Sequence, residues 1–279
     1  MGADDAEDEE NGLEDVVSSD VQTSPSDVAD PQSIIDSKIP ADIRKKYELL
    51  SYRNATVILS ESRRAQFDEL LEALRNFTIS ADMIRTAGGN ESEIPKLLAA
   101  ALRPRNWHET VVRGDLLVSL TWREQVGVTK KGKPVFKERS QQIKRERYLD
   151  GHKIDFVKDR VAFDMEWNSK DQTFDRDLYA FNAFFLSGVI DVGVLVTRGA
   201  TLTPVLKELG QALKKDGTPE FKIVQGNKVA RMTHEKYGAS TTWWGKLIYR
   251  LNAGRNGGCP VLAVGITPAC VTDLPKKPT

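Results

Sequence analysis
The stretch Ile154–Asp171, IDFVKDRVAFDMEWNSKD, decides how the chain is read. Side chains alternate along a β-strand. In VAFDMEWN, Val161, Phe163, Met165 and Trp167 share one face, and Ala162, Asp164, Glu166 and Asn168 share the other. The first face is apolar and belongs in a core. The second sets two carboxylates side by side with no cation between them. A hairpin turn at Lys158–Asp159 places Val157 opposite Arg160 and Asp155 opposite Ala162, diagonal to Asp164 at roughly 7–8 Å. Three carboxylates on one patch repel, and protons or a cation must relieve this. Hard oxygen donors suit Mg2+, which binds through one or two carboxylates plus a substrate phosphate. Such a metal polarises a phosphodiester and generates hydroxide for attack on it. Asp155, Asp164 and Glu166 are therefore candidate metal ligands and catalytic groups. Lys170, just beyond the strand, is a candidate to meet the phosphate. The bland alternative is a hairpin with its charges on a solvated face. A one-residue slip of register would scatter the set.

The charge balance adds to this. Lys/Arg and Asp/Glu each number 40, yet residues 1–40 hold twelve Asp/Glu against one Lys, and the remainder holds 39 Lys/Arg against 28 Asp/Glu. An acidic tail on a basic body fits a polyanion-binding protein, or a solubilising tail on an ordinary domain. Residues 1–38 are rich in Asp, Glu and Ser and are expected to be disordered. A single domain is expected over 39–279. Residues 130–147, KKGKPVFKERSQQIKRER, carry eight Lys/Arg and two Asp/Glu. They read either as a solvated hairpin or helix face, or as a phosphate-contacting arm that starts at Lys130, Lys131 and Lys133.

The rest of the chain alternates helix and strand. SESRRAQFDELLEALRNF reads as a helix capped by Ser60, and SEIPKLLAAALRPRNW as a second that stops near Arg103–Pro104. DLLVSLTW reads as a strand. FDRDLYAFNAFFLSG carries Phe174, Leu178, Phe181 and Phe185 on one helical stripe, with Gly188 as its stop. VIDVGVLVTR and CPVLAVGIT read as buried strands, and TPVLKELGQALKKDG and STTWWGKLIYRLNAG as helices. This order predicts an α/β fold with a mixed central sheet flanked by helices.

Several other polar residues are candidates for DNA contact. Arg198 ends a buried strand, a usual place for ligands in α/β sheets. Ser240, Thr241 and Thr242 stand where a helix N-terminus is expected, which suits a phosphate. Arg255 lies in the AGRNGGCP loop. For each, a capping or solvated role is the alternative. Two cysteines and three scattered histidines give no zinc spacing and no disulfide framework, which fits a reducing cytoplasm. No run of apolar residues is long enough to span a membrane. A glycosidase also uses paired carboxylates, but the basic run would then have no role.

The residues DFVKDRVAFDMEWNSKDQTFDRDLYAF…GVIDVGVLVTR resemble the BglII/BstYI-type restriction endonucleases, within the PD-(D/E)xK nuclease fold. That family carries an Asp on one strand, a second acid nine positions later and a third catalytic side chain two beyond it. The matching positions are Asp155, Asp164 and Glu166. The third is commonly Gln in that family and Lys in the wider superfamily, so Glu166 resembles the acidic variant of BamHI-type enzymes. A second register, Asp155 with Glu166 and Asn168, uses the same face, and the sequence leaves both open. The resemblance implies a bacterial, cytoplasmic type II enzyme. It implies a homodimer that uses Mg2+, with Mn2+ able to substitute, to hydrolyse double-stranded DNA at a short palindrome, with a GATC-centred hexamer as the expected site. It also implies a functional pairing with a DNA methyltransferase. The competing reading is a non-catalytic DNA-binding protein with an autoinhibitory acidic tail.

Overall fold
The computed structural model describes residues 28–86 and 92–274. They form a body, which comprises the described residues up to Thr110 and from Ile154 onward, and an arm, Val111–Lys153. The single domain expected over 39–279 is thus divided by an insertion. The elements are α1 Gln32–Lys38, α2 Ala41–Lys46, β1 Tyr47–Tyr52, α3 Arg64–Asn76, α4 Ala81–Thr86, α5 Glu93–Leu102, β2 His108–Val128, β3 Pro134–Lys158, β4 Val161–Glu166, α6 Thr173–Leu186, β5 Val192–Arg198, α7 Leu202–Glu208, β6 Phe221–Val224, β7 Asn227–Ala230, α8 Trp244–Asn252 and β8 Val261–Ile266.

The main sheet has the order β1-β8-β5-β4-β3-β2. β4, β5 and β8 run parallel, and β1 and β3 join them antiparallel. The expected mixed sheet flanked by helices is present. Every residue of β4, β5 and β8 is buried, because helices cover both faces. One face carries Val161, Phe163, Met165, Val194, Val196 and Val264, which pack in a core with Phe67, Leu70, Leu71 and Leu98 of the N-terminal helices. The other face is covered by α6 and α8. Both approach closely, and glycine makes room for them. A Cβ on Gly193 would lie 2.4 Å from the Phe181 ring, and one on Gly265 would lie 2.8 Å from Trp244.

The expected helices form with adjusted ends. Ser60 does not cap α3. It sits buried in a π-helical turn, Ile58–Ser62, and its hydroxyl donates to Val57 O. Ser92 does cap α5, accepting from Ile94 N at 3.3 Å. The helix expected over 203–217 ends at Glu208, because Gly210 turns left-handed (φ 70°) and Ala212 N then donates to Arg231 O. The polar loop that follows contains a small hairpin, β6–β7. The boundary expected after residue 38 also moves. Ile35 on α1 is fully buried in the core, and Asp30 accepts from Ser51 Oγ and Asn54 N. The acidic residues 1–27, most of the expected tail, lie outside the described residues. Both cysteines are buried free thiols, and burial pushes Cys259 up to about 12. Among the described residues, no helix is long and apolar enough to cross a membrane.

Residues 130–147 form no helix. They make the tip and outgoing strand of a long hairpin built by β2 and β3. Thr129 N donates to Lys133 O at 2.7 Å and Gly132 has φ 75°, so Lys130, Lys131 and Lys133 stand at the turn.

Gly193→Ala should destabilise the body by about 1–3 kcal/mol, the usual cost of overpacking. Thermal unfolding should show a lowered Tm, and an unchanged Tm would mean that Phe181 does not press on β5 as described.

Candidate active site
The turn between β3 and β4 is Asp159–Arg160, one residue later than expected. Asp159 has φ 49°, a left-handed conformation that Asp tolerates. The pairs are Lys158↔Val161, Val157↔Ala162 and Phe156↔Phe163. Continued by one step, this register sets Asp155 directly opposite Asp164 rather than diagonal to it. Relative to the expected hairpin the pairing has shifted by two residues. A shift of two keeps every side chain on its face, so the carboxylates stay together and come closer.

The face that carries them is not solvated. Asp164 is 4% exposed and Glu166 is 6% exposed. α6 lies over this face and brings a fourth carboxylate, Asp177, which is also buried. Asp164 is held well above the usual carboxylate range, first by burial and then by repulsion from Asp177, Asp155 and Glu166. Its Oδ1 accepts from the Met165 backbone N–H at 2.9 Å. Burial and the nearby Glu166 push Asp177 up to about 8. Asp177 Oδ1 accepts from Arg176 Nε and Nη2 at 3.0 and 2.9 Å, while its Oδ2 has no partner. Arg176 Nη2 also donates to Glu166 Oε1 at 3.2 Å. Asp155 is half-buried and takes no hydrogen bond or ion pair among the described residues.

This crowd of acids has one neighbouring cation, Arg176, and that cation leans on Glu166 and Asp177 rather than on the Asp155–Asp164 pair. Among the described residues, no group of three or more His, Cys, Asp or Glu side chains is gathered to hold a metal. Of the three carboxylates expected from the sequence, Asp155 and Glu166 both act on Asp164, and Glu166 also meets Arg176. The Asp155–Asp164 pair still fits a hard cation. Its donors are carboxylate oxygens, Asp155 is unpaired, and the charge around Asp164 is uncompensated. Mg2+ needs only one or two carboxylates from protein when a substrate phosphate completes its shell.

The remaining expected residues fall in different places. Lys170 lies beyond the end of β4, exposed, where it forms a β-bridge with Thr241. It makes no ion pair with the carboxylates and lines an open cleft of about 740 Å³ with Trp167, Asn168, Gln172 and Arg176. Asn168 donates to Lys236 O at 3.1 Å, which turns its amide away from the acids. Arg198 is 2% exposed. It donates to Trp167 O, Thr241 Oγ1 and Thr242 O at 2.7–3.0 Å and stacks over Tyr237, and burial lowers it to about 10. It pins the loop after β4 to the segment before α8, so the expected groove contact is replaced by an internal clamp.

Ser240, Thr241 and Thr242 do not cap a helix. α8 begins only at Trp244, and these residues instead pair with the loop after β4: Thr242 N donates to Ser169 O, and Ser240 O accepts from Asp171 N. Arg255 follows the α8 stop at Gly254 and pairs with Asp175 at 2.6 Å. Lys130, Lys131 and Lys133 are exposed at the tip of the arm.

Asp177 and Arg176 were missed by the sequence reading, although a signal was present. Asp177 falls between Phe174, Leu178 and Phe181 on the inward stripe of α6. A carboxylate on an apolar helical stripe has to meet something polar inside.

The Restriction endonuclease BglII/BglIII family model matches residues 47–266, and the chain belongs to this family. Membership makes the protein a site-specific deoxyribonuclease, a hydrolase that acts on double-stranded DNA. No curated protein matched the chain.

Asp164 and Asp177 have folded-state pKa values raised above their unfolded values. Their protonated forms favour folding at low pH, and that stability is lost as pH rises from about 4 to about 8. In EDTA, Asp177→Asn should therefore raise Tm at pH 8 more than at pH 5. Equal shifts at both pH values would remove the electrostatic account.

Proposed function
We propose that the protein is a type II restriction endonuclease that hydrolyses DNA phosphodiesters with Mg2+ at a short palindromic site, a GATC-centred hexamer being the expected core. The observation that carries the chemistry is Asp164, buried without an ion-pair partner on a strand whose two faces are both covered, beside the half-buried Asp155 of the neighbouring strand. When bound, Mg2+ supplies Lewis acidity and an activated water, and Mn2+ has the same hard-donor chemistry. Asp155 and Asp164 would hold it. Glu166 is steered by Arg176 toward the end of β4, where it can orient or deprotonate the attacking water. Lys170 and Arg176 line the neighbouring cleft and offer positive charge to a phosphate. Lys130, Lys131 and Lys133 offer backbone contacts from the arm.

A palindrome calls for a two-fold protein, so the working form is a homodimer with one site per strand. A cell that carries such an activity needs its own sites protected, which pairs the enzyme functionally with a DNA methyltransferase. A bacterial cytoplasm is the compartment in which such an activity would work.

Plasmid and phage DNA incubated with Mg2+ should give discrete fragments whose sequenced ends share one motif, and EDTA should abolish them. Asp155→Ala should reduce cleavage by at least a hundredfold while the protein still shifts duplex DNA in Ca2+. Full cleavage by that variant would overturn the assignment of Asp155.

A further inference from the structure
Most of the body's described cations meet an acid. Arg63 and Arg160 share Asp191, Lys158 meets Glu69, Arg105 meets Glu72, Arg75 meets Asp42, and Arg250 and Arg255 meet Asp175. The arm does the opposite. Arg123, Lys133, Lys137 and Arg145 are all exposed, and among the described residues none has an ion-pair or hydrogen-bond partner for its side chain.

Their positions are not random. The backbone bond between Thr129 and Lys133 closes the turn with two odd-numbered residues facing each other, and cross-strand partners share a face. Alternation then puts the odd positions of both strands on one face. From Leu117 to Thr129 and from Lys133 to Arg145, the odd positions carry five Lys/Arg and no acid. The even positions carry Glu124 and Glu138, with Lys144, beside a row of apolar side chains. Trp122, Val126, Val128 and Phe136 of that row are each at least 46% exposed. Arg139 is the one odd-face cation that is paired, reaching Glu124 at 2.6 Å. Lys144 is matched by Asp115 and Glu146.

Segregation of this kind has an electrostatic cost for the isolated chain, since like charges gather on one ribbon face with a counter-charge at Arg139 alone among the described residues. An anionic surface removes that cost. From Lys133 to Arg145 the strand rises about 40 Å, close to the roughly 34–36 Å of one duplex turn. We propose that the odd-numbered face of the arm lies along the DNA backbone and contacts phosphates over about one helical turn. The proposal rests on the DNA-cleaving reading above. It goes beyond that reading in assigning the contact to one face of the arm, with Arg123, Lys137 and Arg145 added to the lysines of the tip.

The test uses the full-length protein and a duplex of about 40 base pairs in Ca2+, with affinity measured against salt. An odd-face variant, K133Q/K137Q/R145Q, and an even-face variant, S140E/Q142E/K144Q, lower the net charge equally. The odd-face variant should weaken binding at least tenfold, and its slope of log affinity on log salt should fall by about 2.7, near 0.9 per lost phosphate contact. The even-face variant should keep the wild-type slope. Equal effects from both variants, or none from the odd-face variant, overturn the proposal.

A second readout needs no variant. Lys133 and Lys137 of the wild type should be protected from acetylation by duplex in Ca2+, and unchanged acetylation overturns the proposal. The two readings fail separately. DNA fragments in Mg2+ with an unchanged odd-face slope would sink the arm alone. An odd-face slope effect without any Mg2+-dependent cutting would sink the nuclease reading alone.

Discussion
The structure depends on a carboxylate held out of water on a central strand. β4 lies between β3 and β5 with helices over both of its faces, so Asp164 has neither solvent nor a cation to balance it. Burial of this kind is unfavourable for an ionised acid. Asp155 opposite and Asp177 from α6 make it worse, because each adds negative charge in a low-dielectric setting. A fold that only needed stability would place an apolar residue at position 164, as it does with Ala162 on the same face. The proposed metal would relieve this repulsion, and the strand pair would fix where it sits.

Around this centre the protein distributes charge in two ways. In the body, most of the described cations meet an acid nearby, and Arg198, which does not, is wholly enclosed among backbone and hydroxyl acceptors. These pairs fix loops: Arg198 ties the end of β4 to the segment that leads into α8, and the shared Asp191 ties Arg160, at the start of β4, to Arg63, just before α3. On the arm, cations stand free on one ribbon face. A polyanion would meet complementary charge there. The same residue type thus acts as a structural pin in one unit and as a solvated contact in the other.

Much of the fold was legible along the chain. The apolar stripe Phe174–Leu178–Phe181 announced α6, and the runs VGVLV and VLAVGI announced buried strands, because these patterns are local. The ends of elements were less legible. Ser60 resembles a helix cap in sequence but is absorbed by a π turn, and Ser240–Thr242 resemble a cap but are drawn into pairing with Ser169 and Asp171. A short hydroxyl residue serves either purpose, and the choice is made by a segment far away in the chain. Ile35 was read as part of an acidic tail because the residues around the Ile34–Ile35 pair are mostly polar. Two adjacent isoleucines cannot show in the sequence that a core pocket awaits one of them.

The sequence by itself determined which residues share a strand face, since alternation needs no partner. It therefore set Asp155, Asp164 and Glu166 on one side whichever of the even-numbered register shifts occurred. Only the tertiary structure decided that the acidic face is buried, that Asp155 stands directly opposite Asp164, and that α6 adds Asp177 and Arg176 to the group. Burial, register and the meeting of α6 with β4 depend on which distant segments pack together, and that is a property of the whole chain rather than of any stretch within it.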